Sequence, residues 1–424
     1  CAYFLRQAGH TVTVVDRSAP GDPTACSYGN TGFVGVGGAP LAGRGAWRGG
    51  LRSLLRPDDR LAVAPSLDRD RLRWLWYLKA GSADEARRAG VMLEMKRRSL
   101  EILREICPPN GPDSAFTACG MVQAYRTPEG FAQACRSLPG AVADGVSLRV
   151  LAADELRALE PGVEFDIAGA LYNEAAGFVH APDFVVSFAR TLAGMGVEVV
   201  SDSPVEGFDV SGRTVVRVRT ARGDVRPGEV VLAAGTWSAA LAQHLDIDLD
   251  LQPVKGYTVT VRAPANGPRH PIVLCEGTVA LRPLGDQLRF GGDMALAGVD
   301  RSISRRRLDR LGRTVRSYLP ALEPTETLET WAGLRPCTPD SLPFLGRAPG
   351  YDNVSIAAGH GHSGVGLAPV SGQLIAQLLC GHPTAMDAAP FRVDRYTGAP
   401  SWLRHRAPAQ HPGRAAIAPA GGQR

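Results

Sequence analysis

The stretch "CAYFLRQAGHTVTVVDR" (residues 1–17) reads as a helix, a turn and a strand. Tyr3, Phe4 and Leu5 give the helix its apolar residues, and Gly9 stands where a C′ glycine stops one. His10 to Val15 alternate and are rich in Val and Thr, the composition of a half-buried strand. Asp16 closes that strand. Helix, tight turn, β-branched strand and terminal acid form the second half of a dinucleotide-binding βαβ unit. A carboxylate there accepts the ribose hydroxyls of an adenosine; the alternative is a surface aspartate at a strand end. The expected first half, a strand and a glycine-rich phosphate loop, does not precede it.

Working outward, 424 residues suggest two domains or one elaborated domain, and 44% hydrophobic with 21% charged residues suits a soluble enzyme. The net charge of +5 is small for this length. No basic stripe with interleaved aromatics is present, which argues against nucleic acid as a partner. No apolar run is long enough to span a membrane. The eight cysteines include no C-x-x-C pair, so neither a zinc site nor a thioredoxin-like site is expected, and no metal is assigned. Scattered cysteines are expected as free thiols in a reducing compartment, by default the cytoplasm.

Beyond Asp16 a Gly/Pro/Ser-rich loop is followed by helical patterns over 69–106 and 151–161. Then come a helix, turn and strand in "FVVSFARTLAGMGVEVV" and a hairpin feeding a strand that ends in small residues. "VKGYTVTVRA" and "VALRPLGDQLRFGGDM" have an antiparallel character. From about 397 the composition predicts a disordered tail.

Three motifs carry chemistry. In "EVVLAAGTWSAAL" (229–241) an apolar strand runs into Ala234-Gly235, where backbone approaches something closely. In "WAGLRPCTPDSLPFLG" (331–346), Arg335 presents a planar fork suited to a carboxylate, from protein or from substrate. In "AAGHGHSGVGLAPVSGQLIAQLLCG" (357–381), glycines lead straight into a helix that Gly381 ends. Bare N–H groups and the helix N-terminus there favour negative charge, such as that developing on a reduced flavin. His360 and His362, spaced i, i+2 without nearby carboxylates, read as structural.

Together with the order of elements, "AAGTWSAAL", "VKGYTVTV", "GLRPCTPDSLPFLG" and "GHGHSGVGLAPVSGQLIAQLL" resemble the FAD-dependent D-amino-acid dehydrogenase and oxidase family, the bacterial dehydrogenases above all. The resemblance covers nearly the whole chain to about residue 397. It implies an α/β (α+β) fold: an FAD-binding doubly wound Rossmann-like domain, and a substrate domain on an antiparallel or mixed sheet. The expected boundaries are 1–50, 165–245 and 325–396 for the first, 51–164 and 246–324 for the second, and 397–424 for the tail. The chain is expected to be cut within the first helix, which puts its retention of FAD in doubt.

The resemblance further implies that Arg335 binds the substrate carboxylate, with Tyr257 on the strand across the substrate pocket. Asp16 with Arg17, and Val205, Ala234 and Gly235, would lie toward the adenosine half of FAD. Ser27, Asn30 and Gly32 would pack near the flavin. Gly359, His360, Gly361, Gly364, Val365 and Gly366 would face its ring. The implied reaction passes the Cα hydride of a neutral D-amino acid to flavin N5, and water then releases a 2-oxo acid and ammonia. No protein base is needed. A quinone-type acceptor or oxygen would reoxidise the flavin, with peripheral contact at the inner face of the membrane. The alternatives are an amine oxidase acting on glycine, sarcosine or D-hydroxyproline-like imino acids, and an inactive fragment.

Overall fold

The computed structural model describes residues 1–36, 61–63, 68–80, 84–107, 116–323, 325–396 and 399–400. The elements that position the site are, in chain order, α1 (Ala2–Gln7), β1 (Thr13–Val15), β2 (Glu198–Val200), β3 (Val230–Leu232), β4 (Gln252–Arg262), β5 (Gln287–Leu296), α2 (Arg305–Tyr318), β6 (Thr327–Cys337), β7 (Val354–Ala358) and α3 (Gly364–Leu379). The α/β fold expected from the sequence is observed. Most of the expected tail, and the end of the loop after Asp16, lie outside the described residues.

Gly9 stops α1 with φ +88°. β1 is shorter than the alternation suggests, because the His10 N–H is spent on Leu5 O in closing the helix end. β1 pairs in parallel with β2, and β3 in parallel with β7. The helical pattern over 69–106 resolves into two helices, Arg69–Ala80 and Glu85–Ile106. The second of these packs on α3, where Met95 and Ile102 meet Leu367, Val370, Leu374 and Ile375. Phe4 of α1 joins the same cluster, and Gly372 permits the approach: a Cβ there would stand 2.5 Å from the Cys1 nitrogen.

The other large unit is a nine-stranded mixed sheet with β6, β4 and β5 side by side at one edge. Strand alternation splits its residues between two faces. On one, Tyr257 and Val259 of β4 pack with Leu311, Val315 and Tyr318 of α2 in an apolar core. The other face carries Arg335, Trp331 and Thr258, and it meets the loop that follows β1.

Leu374 has no exposed surface and anchors α3, whose N-terminus faces the site. Leu374→Ala is expected to cost about 3 kcal/mol through lost burial and a residual cavity. The measurement is chemical denaturation; a midpoint unchanged from wild type would contradict the packing described.

Candidate active site

Arg335 projects from β6 and its guanidinium lies flat across β4 over Gly256. A Cβ at Gly256 would stand 2.3 Å from the guanidinium carbon, so only glycine leaves room for it. Beyond β4, Nη1 donates to the main-chain carbonyl of Asp293 in β5 at 2.8 Å. That carbonyl is turned out of the ladder by a bulge, where Lys255 pairs with Ala295 but Tyr257 with Gly292. Asp293 itself has φ +67°. No carboxylate pairs with Arg335 among the described residues. Two thiols lie close enough to feel its charge, and burial pushes Cys26 up to about 11 and Cys337 up to about 12, so both are neutral at physiological pH.

Trp331 stands four residues before Arg335 on the same face. Its ring covers Gly333 and Gly29, either of which would collide with it if given a Cβ. Its Nε1 donates to Pro23 O at 2.8 Å. Three more donors reach the same loop: Arg301 to Thr24 O at 3.1 Å, Arg289 to Tyr28 O at 3.1 Å and Arg282 to Thr31 O at 3.1 Å. The loop after β1 is thus held by four side chains from the large sheet and its rim. Within it, Ser27 O accepts from Asn30 N–H, and Asn30 Oδ1 accepts from Gly32 N–H at 2.6 Å. Ser27, Asn30 and Gly32 therefore shape this loop, and Gly32 has φ +72°.

Opposite stands the turn from β7 into α3. An isolated bridge between Cys337 and His360 sets it beside the end of β6. Gly359 (φ +89°) and Gly361 (φ +56°) take conformations that side chains disfavour. A Cβ at Gly359 would meet the Thr338 methyl at 2.6 Å. α3 begins at Gly364, followed by Val365 and Gly366, with no side-chain cap and no acid in its first turn, so its leading N–H groups stay available to an anion. His360 Nε2 lies 2.9 Å from Ser371 Oγ, and burial lowers its pKa to about 4. His362 is exposed at the site, yet surrounding protein, then the Lys96 and Arg335 cations, lower its pKa to about 3. The two cations alone fix that direction.

A second cluster forms at the end of β1. Asp16 O accepts from Ser203 N–H, which brings the start of the 205–211 strand and Val205 alongside. The Arg17 guanidinium stacks 3.5 Å above the Trp237 ring. Ala234 and Gly235 lead into Trp237, and a Cβ on Gly235 (φ +56°) would meet open space. Thr236 Oγ1 donates to Leu334 O at 3.0 Å, tying this cluster to the residue beside Arg335.

The structure thus brings together every cofactor-side residue named from the sequence, in two groups joined through β6. Tyr257 is different. It lies on the opposite face of β4 from Gly256, 2% exposed within the core under α2, and is not brought to Arg335. Its neighbour Lys255 shares that face and pairs with Asp300 at 2.5 Å. Asp293, Trp331 and Trp237 were not singled out from the sequence. "FGGDM" carried a signal for the first, since paired glycines inside a strand mark a bulge.

A family profile described as "FAD dependent oxidoreductase" matches residues 1–378. The chain belongs to this family. D-amino acid dehydrogenase from Rhizorhabdus wittichii is 32% identical over 405 residues, covering 93% of this chain and 96% of the relative. The enzyme of the same name from Paramagnetospirillum magneticum is 32% identical over 415 residues with the same coverage. Among solved structures, glycine oxidase from Geobacillus kaustophilus superposes with a TM-score of 0.69 at 25% identity, covering 94% of this chain and 95% of that one. Iminodiacetate oxidase from Chelativorans sp. BNC1 shares the fold, with a TM-score of 0.68 at 19% identity and coverage of 92% and 95%.

The cofactor is therefore FAD, and the residues present fit it. The open face over Gly235, the uncapped start of α3 and the stacked Arg17–Trp237 pair are features that a long, anionic, aromatic ligand uses. No helix among the described residues is long and apolar enough to cross a membrane.

Two outcomes follow from this geometry. Gly256→Ala displaces only the tip of a flexible side chain, so the fold should persist while carboxylate affinity drops by about 2 kcal/mol. Calorimetric titration with benzoate checks it, and undiminished affinity would contradict the placement of Arg335. His360 is neutral when folded but titrates near about 6.5 when unfolded. Between those values the unfolded chain binds more protons, so this contribution is present above about pH 6.5 and lost as pH falls toward 4. Urea midpoints against pH should therefore show a flatter acid limb in His360→Gln than in wild type.

Proposed function

We propose that this oxidoreductase oxidises D-amino acids to 2-oxo acids and ammonia. The observation that carries this reading is the Arg335 fork, laid flat over Gly256 with no carboxylate of the described chain to neutralise it. A planar, bidentate cation in a half-buried setting matches the α-carboxylate common to all such substrates. The D-amino acid dehydrogenases that match over 93% of the chain support the choice of substrate class.

On this reading Arg335 holds the carboxylate and Trp331, whose ring covers Gly333 beside it, walls the pocket. FAD, when bound, supplies the acceptor for the Cα hydride, leaving an imino acid that water hydrolyses. Gly359, His360, Gly361, Gly364, Val365 and Gly366 would line the flavin ring, with Ser27, Asn30 and Gly32 in the loop opposite. The start of α3 directs its N–H groups at the charge that develops there. Asp16, Arg17, Val205, Ala234 and Gly235 would hold the adenosine half. With its fork over Gly256, Arg335 is the cation that orients the substrate, so positioning supplies much of the catalysis. We divide the chain into FAD-binding segments 1–50, 165–245 and 325–396 and substrate-binding segments 51–164 and 246–324, with the correction that Gly169–Asn173 and Thr327–Cys337 pair into the nine-stranded sheet of the second group. A quinone-type acceptor or oxygen completes the cycle, and the protein works in the cytoplasm, at or near the inner face of the membrane.

Arg335→Leu is expected to cost about 3–5 kcal/mol in kcat/KM while FAD stays bound, because a buried carboxylate loses its partner. Arg335→Lys should restore only part, since a point charge makes no parallel pair of bonds. Near-wild-type kinetics in Arg335→Leu would remove the assignment. A dye-coupled screen of D-amino acids against glycine, sarcosine and D-hydroxyproline separates the proposed substrate class from the amine-oxidase alternative.

A further inference from the structure

Arg335 is aimed by something on the far side of the sheet. Among the described residues its one hydrogen-bond acceptor is the Asp293 carbonyl, and Asp293 adopts φ +67° inside the β5 bulge that presents this carbonyl to Arg335. Such a backbone is unfavourable for a non-glycine residue and persists where the surroundings over-determine it. The surroundings here are explicit. The Asp293 side chain is fully buried, and its carboxylate accepts from Arg307 Nη1 at 2.8 and 3.0 Å. Arg310 Nη2 stands 3.1 Å from the same carboxylate. Its Oδ1 also accepts from Met294 N–H at 2.7 Å, closing the bulge on itself. Both arginines belong to α2, which covers the opposite face of the sheet from Arg335.

We propose that Asp293 is a positioning residue for substrate binding: clamped by Arg307 and Arg310 of α2, it holds its own carbonyl where Arg335 must donate, and so fixes the plane of the fork over Gly256. One guanidinium edge is spent on that carbonyl and the remaining donors stay directed at the substrate carboxylate. The inference rests on the reading of Arg335 as the carboxylate anchor.

The test uses the FAD-loaded full chain, benzoate as the carboxylate probe, and four variants. Asp293→Gly tolerates the positive φ but releases the clamp, and should raise the benzoate Kd by about tenfold, with KM rising more than kcat falls. Arg307→Gln leaves Asp293 in place with a weaker anchor and should shift Kd in the same direction by a smaller factor, about threefold. Asp250→Asn breaks a different buried pair, with Arg73 at 2.6 Å, and should lower the melting temperature without moving Kd. Arg335→Leu should abolish benzoate binding. If Arg335→Leu abolishes binding while Asp293→Gly and Arg307→Gln bind as wild type does, the positioning role is overturned and the anchor survives. If Arg335→Leu itself binds normally, the anchor has failed. Should Asp293→Gly not fold, the Arg307→Gln Kd decides: a shift supports the role and a wild-type value overturns it.

Discussion

A cation lying flat on a bare glycine is the constraint around which the site is arranged. The Arg335 guanidinium needs the space that Gly256 leaves, an acceptor for its inner edge, and no anion on its outer edge. Three strands assemble the group. β6 supplies the side chain, β4 the floor and β5 the carbonyl. Three adjacent strands in fixed register hold such a group more rigidly than a loop does, and rigidity is what an orienting residue requires.

The same face of the sheet also builds the opposite wall. Trp331, Arg301, Arg289 and Arg282 each donate to a carbonyl of the loop after β1. Arg289 is itself held by Glu329 and Thr260, both at 2.9 Å. These bonds join the chain segment after β1 to the large sheet beside Arg335 and Trp331. Thr236 repeats the connection from the other direction, through Leu334. The loop after β1, the Ala234–Trp237 turn and the turn into α3 are therefore all joined to β6.

What was legible in the sequence was local. Gly9, Gly359, Gly361 and Gly381 mark turns through their own conformational freedom, and all four have positive φ. The glycine entry to α3 was readable for the same reason, and the strand ending at Asp16 through its run of β-branched residues. Illegible features depend on long-range register. Whether Tyr257 or Gly256 faces Arg335 is a matter of strand parity, which a motif alone does not set. Arg289 meets Tyr28 across 261 residues of chain, and nothing near either residue announces the partner. The clamp on Asp293 lay between these cases, since its paired glycines signalled a bulge but not what the bulge was for.

The most direct measurement is a crystal structure of the FAD-loaded protein with a non-reactive carboxylate bound. The account predicts both carboxylate oxygens on the Arg335 fork over Gly256, with the inner edge still on Asp293 O. The flavin ring would lie between the 359–366 turn and the 24–32 loop. A carboxylate seated elsewhere, with Arg335 turned away from Gly256, would contradict it.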